Sequence, residues 1–106
     1  MDPELHLPGV TSILRAWAQA WNLRDVALFG SILTKDFTTT SDVDVLVRWN
    51  DENRRYGAWG QDPAAEDLAK RLGRPVDVLS WDQVHRMRNP FRRHHILSHH
   101  QVIDAA

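Results

Sequence analysis

The chain has 106 residues, enough for one compact domain spanning residues 1–106 and too few for two. With 42% hydrophobic and 25% charged residues it has a globular rather than a disordered balance, and a net charge of −1 gives no global pull toward nucleic acid or an anionic membrane. The absence of cysteine removes disulfides, thiolate metal sites and cysteine nucleophiles together. The opening "MDPELHLPG" has no basic segment followed by an apolar run, and no apolar stretch approaches the roughly 20 residues that span a bilayer. A cytoplasmic protein with no membrane partner is the expectation.

Val10, Ile13, Leu14, Trp17 and Trp21 recur at helical spacing and predict a first helix over about 10–21. "NLRD" then turns the chain into a short strand, Val26 to Phe29, whose unbroken apolar run predicts a central place in a sheet. Gly30-Ser31 ends that strand, a short helical turn follows from Ser31, and "TKDFTTTS" reads as a connection. The clearest strand is Asp42 to Trp49, with Val43, Val45, Val47 and Trp49 on one face and Asp42, Asp44, Leu46 and Arg48 on the other. "NDENRRYGAWGQ" is a polar loop. Asp62 caps a helix that has Pro63 in its first position, Leu68 and Leu72 in its apolar stripe, and Gly73 with Pro75 at its end. "PVDVLS" is a strand with Asp77 opposite Val76 and Val78. Ser80 and Gln83 resemble a capping box for a short helix to about Met87, and Asn89-Pro90 restarts a helix expected to run toward the chain end. This order predicts an α/β (α+β) fold, a small mixed sheet flanked by helices. The connection between the first two strands is short for a crossover helix, which favours an antiparallel pair.

Asp42 and Asp44, two apart on one strand, put both carboxylates on one side. A divalent cation relieves the repulsion of such a pair, and hard oxygen ligands suit Mg²⁺ completed by substrate phosphates. Asp77 offers a third carboxylate if its strand lies beside theirs. Gly30 lets the backbone approach a ligand closely, and the following N–H groups with the Ser31 hydroxyl can hold phosphate. Phosphate donors facing an acidic cluster are the two halves of a phosphoryl or nucleotidyl transfer site, with Asp77 placed to take the proton of an attacking hydroxyl. Each feature alone has an ordinary explanation: Gly-Ser pairs are mostly turns, and Asp-x-Asp is common on water-facing sheets. The combination is what points to chemistry.

Gly30, Ser31, ten further residues, then Asp42 and Asp44 resemble the signature of the polymerase-beta-type nucleotidyltransferase superfamily, and Asp77 in "RPVDVLS" matches its third aspartate. The compact length and the ending "NPFRRHHIL" resemble the minimal nucleotidyltransferases, antitoxin partners of HEPN-domain toxins; the likeness runs from about Trp17 to Ile103. The resemblance implies that Asp42, Asp44 and Asp77 are catalytic and bind Mg²⁺, and that Gly30 and Ser31 hold the phosphates of ATP. It also implies transfer of AMP to a tyrosine of a cognate HEPN toxin, in a hetero-oligomer with that toxin. Family members often carry arginines and a later glycine after Gly-Ser. Here the segment is "GSILTKD", and Lys35, where that glycine would stand, is the cation left to meet phosphate.

Other residues carry weaker patterns. Arg48 shares the aspartate face and either touches phosphate or balances the acidic cluster, the latter being favoured. His95 and His99, four apart, could pair on a metal, but no third ligand is evident nearby and a solvated basic face is the favoured reading. Trp17, Trp21, Trp49 and Trp81 read as packed, whereas Tyr56 and Trp59 in "YGAWGQ" are candidates for a partner-facing or nucleotide-facing loop. Two alternatives to protein adenylylation remain open: an antitoxin acting by contact alone, and nucleotidyl transfer to RNA. The near-neutral charge argues against a nucleic-acid partner.

Overall fold

The computed structural model describes residues 2–50 and 62–103, so Tyr56 and Trp59 lie outside the described residues. Helix α1 is the single turn Pro3–His6, followed by α2 (Val10–Ala20), strand β1 (Leu23–Phe29), a 3₁₀ turn (Gly30–Leu33) and β2 (Val43–Trp49). Then come α3 (Pro63–Leu72), β3 (Val76–Ser80), α4 (Trp81–His85), α5 (Pro90–Ser98) and β4 (His100–Ile103). The strands form one mixed sheet in the order β3-β2-β1-β4. β1 is antiparallel to both β2 and β4, and β2 is parallel to β3. The fold is that of a polymerase-beta-type nucleotidyltransferase: a small mixed sheet flanked by helices.

Alternation divides the core. Val26 and Leu28 of β1 and Val43, Val45 and Val47 of β2 pack with Val10, Leu14 and Trp17 of α2 and Leu68 of α3. The other face carries Ala27, Phe29 and Leu46, covered by Val84 of α4 and Ile96 of α5. Both faces of β1 are thus buried, as its unbroken apolar run requires. Two indoles tie α2 to α3: Trp17 Nε1 donates to the Ala64 carbonyl at 2.8 Å and Trp21 Nε1 to Asp67 Oδ2 at 2.8 Å. The latter bond holds the Asp67 carboxyl below its usual range.

Local sequence sets the ends of these elements. Asp62 Oδ1 accepts from the Ala64 and Ala65 amides, Pro63 fills the first helical position, and Gly73, at φ +69°, closes α3. Ser80 and Gln83 form the reciprocal capping box of α4.

Three boundaries differ from expectation. β1 begins at Leu23, because the turn before it takes only Trp21 and Asn22, the latter at φ +54°, a conformation asparagine tolerates. A short N-terminal turn, α1, exists because Asp2 Oδ1 caps the Glu4 amide and the Glu4 carboxylate accepts from the Gly9 and Thr11 amides. The last helix stops at Ser98, and residues 100–103 instead form β4, pairing Val26 with Ile103 and Phe29 with His100. The free edge of β1 supplies backbone partners, and the β-branched pair Val102-Ile103 suits a strand better than a helix end.

Candidate active site

The C-terminal end of β1 and the N-terminal starts of β2, β3 and β4 meet at one end of the sheet. Asp77 of β3, Asp44 of β2, Phe29 of β1 and His100 of β4 lie in register across all four strands. Registered neighbours face the same way, so Asp77 and Asp44 stand side by side on the face covered by α4 and α5. Asp42, two residues before Asp44, is exposed just ahead of the first residue of β2. The parallel β2–β3 pairing therefore does bring Asp77 beside Asp44.

Gly30 closes over this row from β1. Its φ is +78°, and a Cβ there would collide with the Asp44 carboxylate. Glycine is required twice over, for the left-handed backbone and for the close approach. Ser31, partly buried, accepts at its carbonyl from both the backbone N–H and the hydroxyl of Thr34, each at 2.9 Å, which tightens the 3₁₀ turn. Ile32 of that turn is fully buried in the α2-side core. Lys35 is exposed beyond the turn, and it does not line the pocket beside Gly30.

The connection from the turn to Asp42 is pinned at both ends. His6 Nε2 donates to the Thr34 carbonyl at 2.6 Å, and its ring lies 5.1 Å from that of Phe37. Arg74 donates to the Ser41 carbonyl at 3.2 Å and the Thr38 carbonyl at 3.4 Å, with its guanidinium 4.9 Å from the Phe37 ring centre. Nothing in the sequence pattern marked His6 or Arg74, because their partners are backbone carbonyls distant along the chain.

Electrostatics single out Asp44. Burial pushes its carboxyl up to about 6, the Asp77 and Asp42 charges push the same way, and Arg92 of α5 opposes them. Among the described residues no three His, Asp or Glu side chains already close round a common point as a metal cage. Mg²⁺ does not need one, since it keeps several waters and takes one or two carboxylates plus substrate phosphates. The donor chemistry fits: hard oxygens whose mutual repulsion a cation would relieve.

Arg48 departs from expectation. Its guanidinium bonds Asp25 at 2.9 Å and lies 4.9 Å from the Trp81 ring centre, so it balances Asp25 on the neighbouring strand rather than the acidic row. His95 and His99 stack, with ring centres 4.4 Å apart, and both line a pocket of about 230 Å³ beside Gly30. Arg92 belongs to the same α5 face, a grouping that the spacing 92, 95, 99 carries.

Residues 10–103 match the nucleotidyltransferase domain family, and the chain belongs to it. No curated protein matches the sequence. Among solved structures, a chain from a crystal structure of a toxin-antitoxin with AMP-PNP is similar at a TM-score of 0.67 and 18% identity, over 91% of this chain and 73% of that one. At that identity the likeness establishes a shared fold. Among the described residues no helix is long and apolar enough to cross a membrane.

Proposed function

We propose that this nucleotidyltransferase is a Mg²⁺-dependent protein adenylyltransferase that moves AMP from ATP to a tyrosine of a HEPN-domain toxin and so acts as its antitoxin. The observation that carries the reading is the registered Asp44–Asp77 pair, with Asp42 beside it and Gly30 folded over Asp44. Gly30 and Ser31 hold the phosphates, Lys35 is available to them from solvent, and Asp42, Asp44 and Asp77 hold the cation. Bound Mg²⁺ would supply charge stabilisation for the phosphates during transfer. The tyrosine oxygen attacks the α-phosphorus, forming an O–P bond while the bond to the β-phosphate bridging oxygen breaks. Pyrophosphate leaves, and Asp77 takes the phenolic proton. The fold shared with a toxin-antitoxin chain supports a protein acceptor.

Incubation with labelled ATP, Mg²⁺ and the toxin encoded beside this gene tests the reading. Label on a toxin tyrosine, lost with Asp44→Asn, is expected. A second reading, neutralisation by contact alone, is favoured by the 3₁₀ turn, where Ile32 and Leu33 stand in place of cations. It predicts no label and full neutralisation by the Asp44→Asn variant.

A further inference from the structure

The acidic row has a counterpart on the other side of Gly30. A pocket of about 230 Å³ opens there, lined by Gly30 of the turn and Thr34 just past it, His95 of α5 and His99 at its C-cap, and His100 and Gln101 from β4. It exists because β4 brings the end of α5 back against β1, pairing His100 with Phe29. Along the sheet end, side-chain chemistry therefore runs from Asp77 and Asp44, past the glycine turn, to three imidazoles.

Two of the three imidazoles are pre-oriented by backbone bonds. His99 Nδ1 lies 3.0 Å from the His95 carbonyl, and His100 Nδ1 lies 3.1 Å from the Ile96 carbonyl. A carbonyl only accepts, so each Nδ1 carries a proton and each Nε2 is left to bond something else. His99 is further held by its stack on His95, and His100 by an edge-on contact with Trp81 at 5.7 Å. Backbone bonds that fix the tautomer and aim the second nitrogen are how proteins orient histidine toward an anion or metal. A zinc-type cage is not preformed here: among the described residues the imidazoles do not close round a common point with a third ligand. The amide of Gln101 and the Thr34 hydroxyl add neutral polar groups, and no carboxylate lines the pocket.

We propose that this pocket binds the terminal phosphates of the nucleotide, with His95, His99 and His100 giving hydrogen bonds to the β- and γ-phosphate oxygens that the cation-free turn Gly30–Leu33 does not give. The proposal rests on the nucleotidyltransferase reading above and adds the direction in which the polyphosphate lies: from the aspartates, across Gly30, toward β4. It also makes the pocket the seat of the departing pyrophosphate. Phosphate oxygens only accept, so the rings meet them through N–H, in bonds strengthened by the phosphate charge.

Calorimetric titration of the full chain with ATP, AMP and inorganic tripolyphosphate, each with Mg²⁺, tests this. His95→Ala/His99→Ala is expected to weaken ATP and tripolyphosphate by at least about tenfold, the lower end for lost bonds to charged groups, while AMP changes less than about twofold. His95→Gln/His99→Gln, which keeps polar side chains, should lose less. His95 and His99 are both exposed, and circular dichroism checks the fold. Equal ATP affinity in parent and both variants, or an equal fall for AMP and ATP in a folded variant, overturns the phosphate pocket and leaves the nucleotidyltransferase reading standing. A parent chain that binds neither ATP nor tripolyphosphate overturns both.

Discussion

Replacing Asp44 by Asn is expected to stabilise the metal-free protein, and to do so only above mildly acidic pH. The Asp44 carboxyl is pushed up to about 6 from the ordinary 3.8 of an aspartate, first by burial, then by Asp77 and Asp42. A carboxylate with a raised folded-state pKa binds protons in the native state that the unfolded chain has already released. Its charge therefore costs nothing below about pH 4, costs progressively more between 4 and 6, and costs the full amount above 6. At about 1.4 kcal/mol for each tenfold change in proton affinity, the ceiling is about 3 kcal/mol. Solvent screening of a half-buried group brings that to about 1–2 kcal/mol. Asn removes the charge at nearly constant shape. Thermal unfolding across pH 4 to 8, without divalent ions, should show the variant melting roughly 5–10 °C above the parent at pH 8 and level with it near pH 4. Mg²⁺ should raise the parent's melting temperature and narrow the gap. A variant that is less stable at pH 8, or whose gain is the same at every pH, would refute the account of Asp44 as a buried, charge-repelled carboxylate.

Gly30→Ala forces a side chain into a left-handed backbone and against the Asp44 carboxylate; a stability loss of about 1–2 kcal/mol in urea titrations and weaker Mg²⁺-dependent ATP binding are expected. Arg74→Ala removes the bonds to the Thr38 and Ser41 carbonyls and should cost about 1 kcal/mol, with faster hydrogen exchange confined to residues 36–42 as the localising readout. Trp17→Ala empties the centre of the α2-side core and breaks the bond to the Ala64 carbonyl, for about 3–5 kcal/mol by urea denaturation.

What could be read in the sequence was whatever local period and spacing encode. The valine alternation in β2 gave the face of Asp44, and the caps Asp62 and Ser80 gave the starts of α3 and α4, because each signal is complete within a few residues. β4 was not legible: "HQVI" follows a good helix without a break residue, and its strand conformation depends on the unpaired edge of β1, some seventy residues earlier. The pocket was hidden for the same reason, since His99 and His100 change element where α5 gives way to β4. Arg48 was misassigned because its partner Asp25 belongs to a stretch that reads as a turn and folds as strand.

The acidic row is held together against its own electrostatics, and the sheet register does the holding. β2 and β3 pair with Val43 beside Val76 and Val45 beside Val78, which sets Asp44 beside Asp77. A one-residue slip of β2 would carry Asp44 to the α2 side and turn Val43, Val45 and Val47 toward the site. Val43, Val45 and Val47 are each fully buried, at about 1.5 kcal/mol or more apiece, together at least about 4 kcal/mol. That exceeds the roughly 1–2 kcal/mol that the Asp44 charge costs in this arrangement, first through its burial and then through Asp77 and Asp42. The apolar face of β2 thus fixes the position of carboxylates on the opposite face, and they need no bonds among themselves to stay paired. A cation arriving with its phosphates would find the repulsion already in place and gain by relieving it.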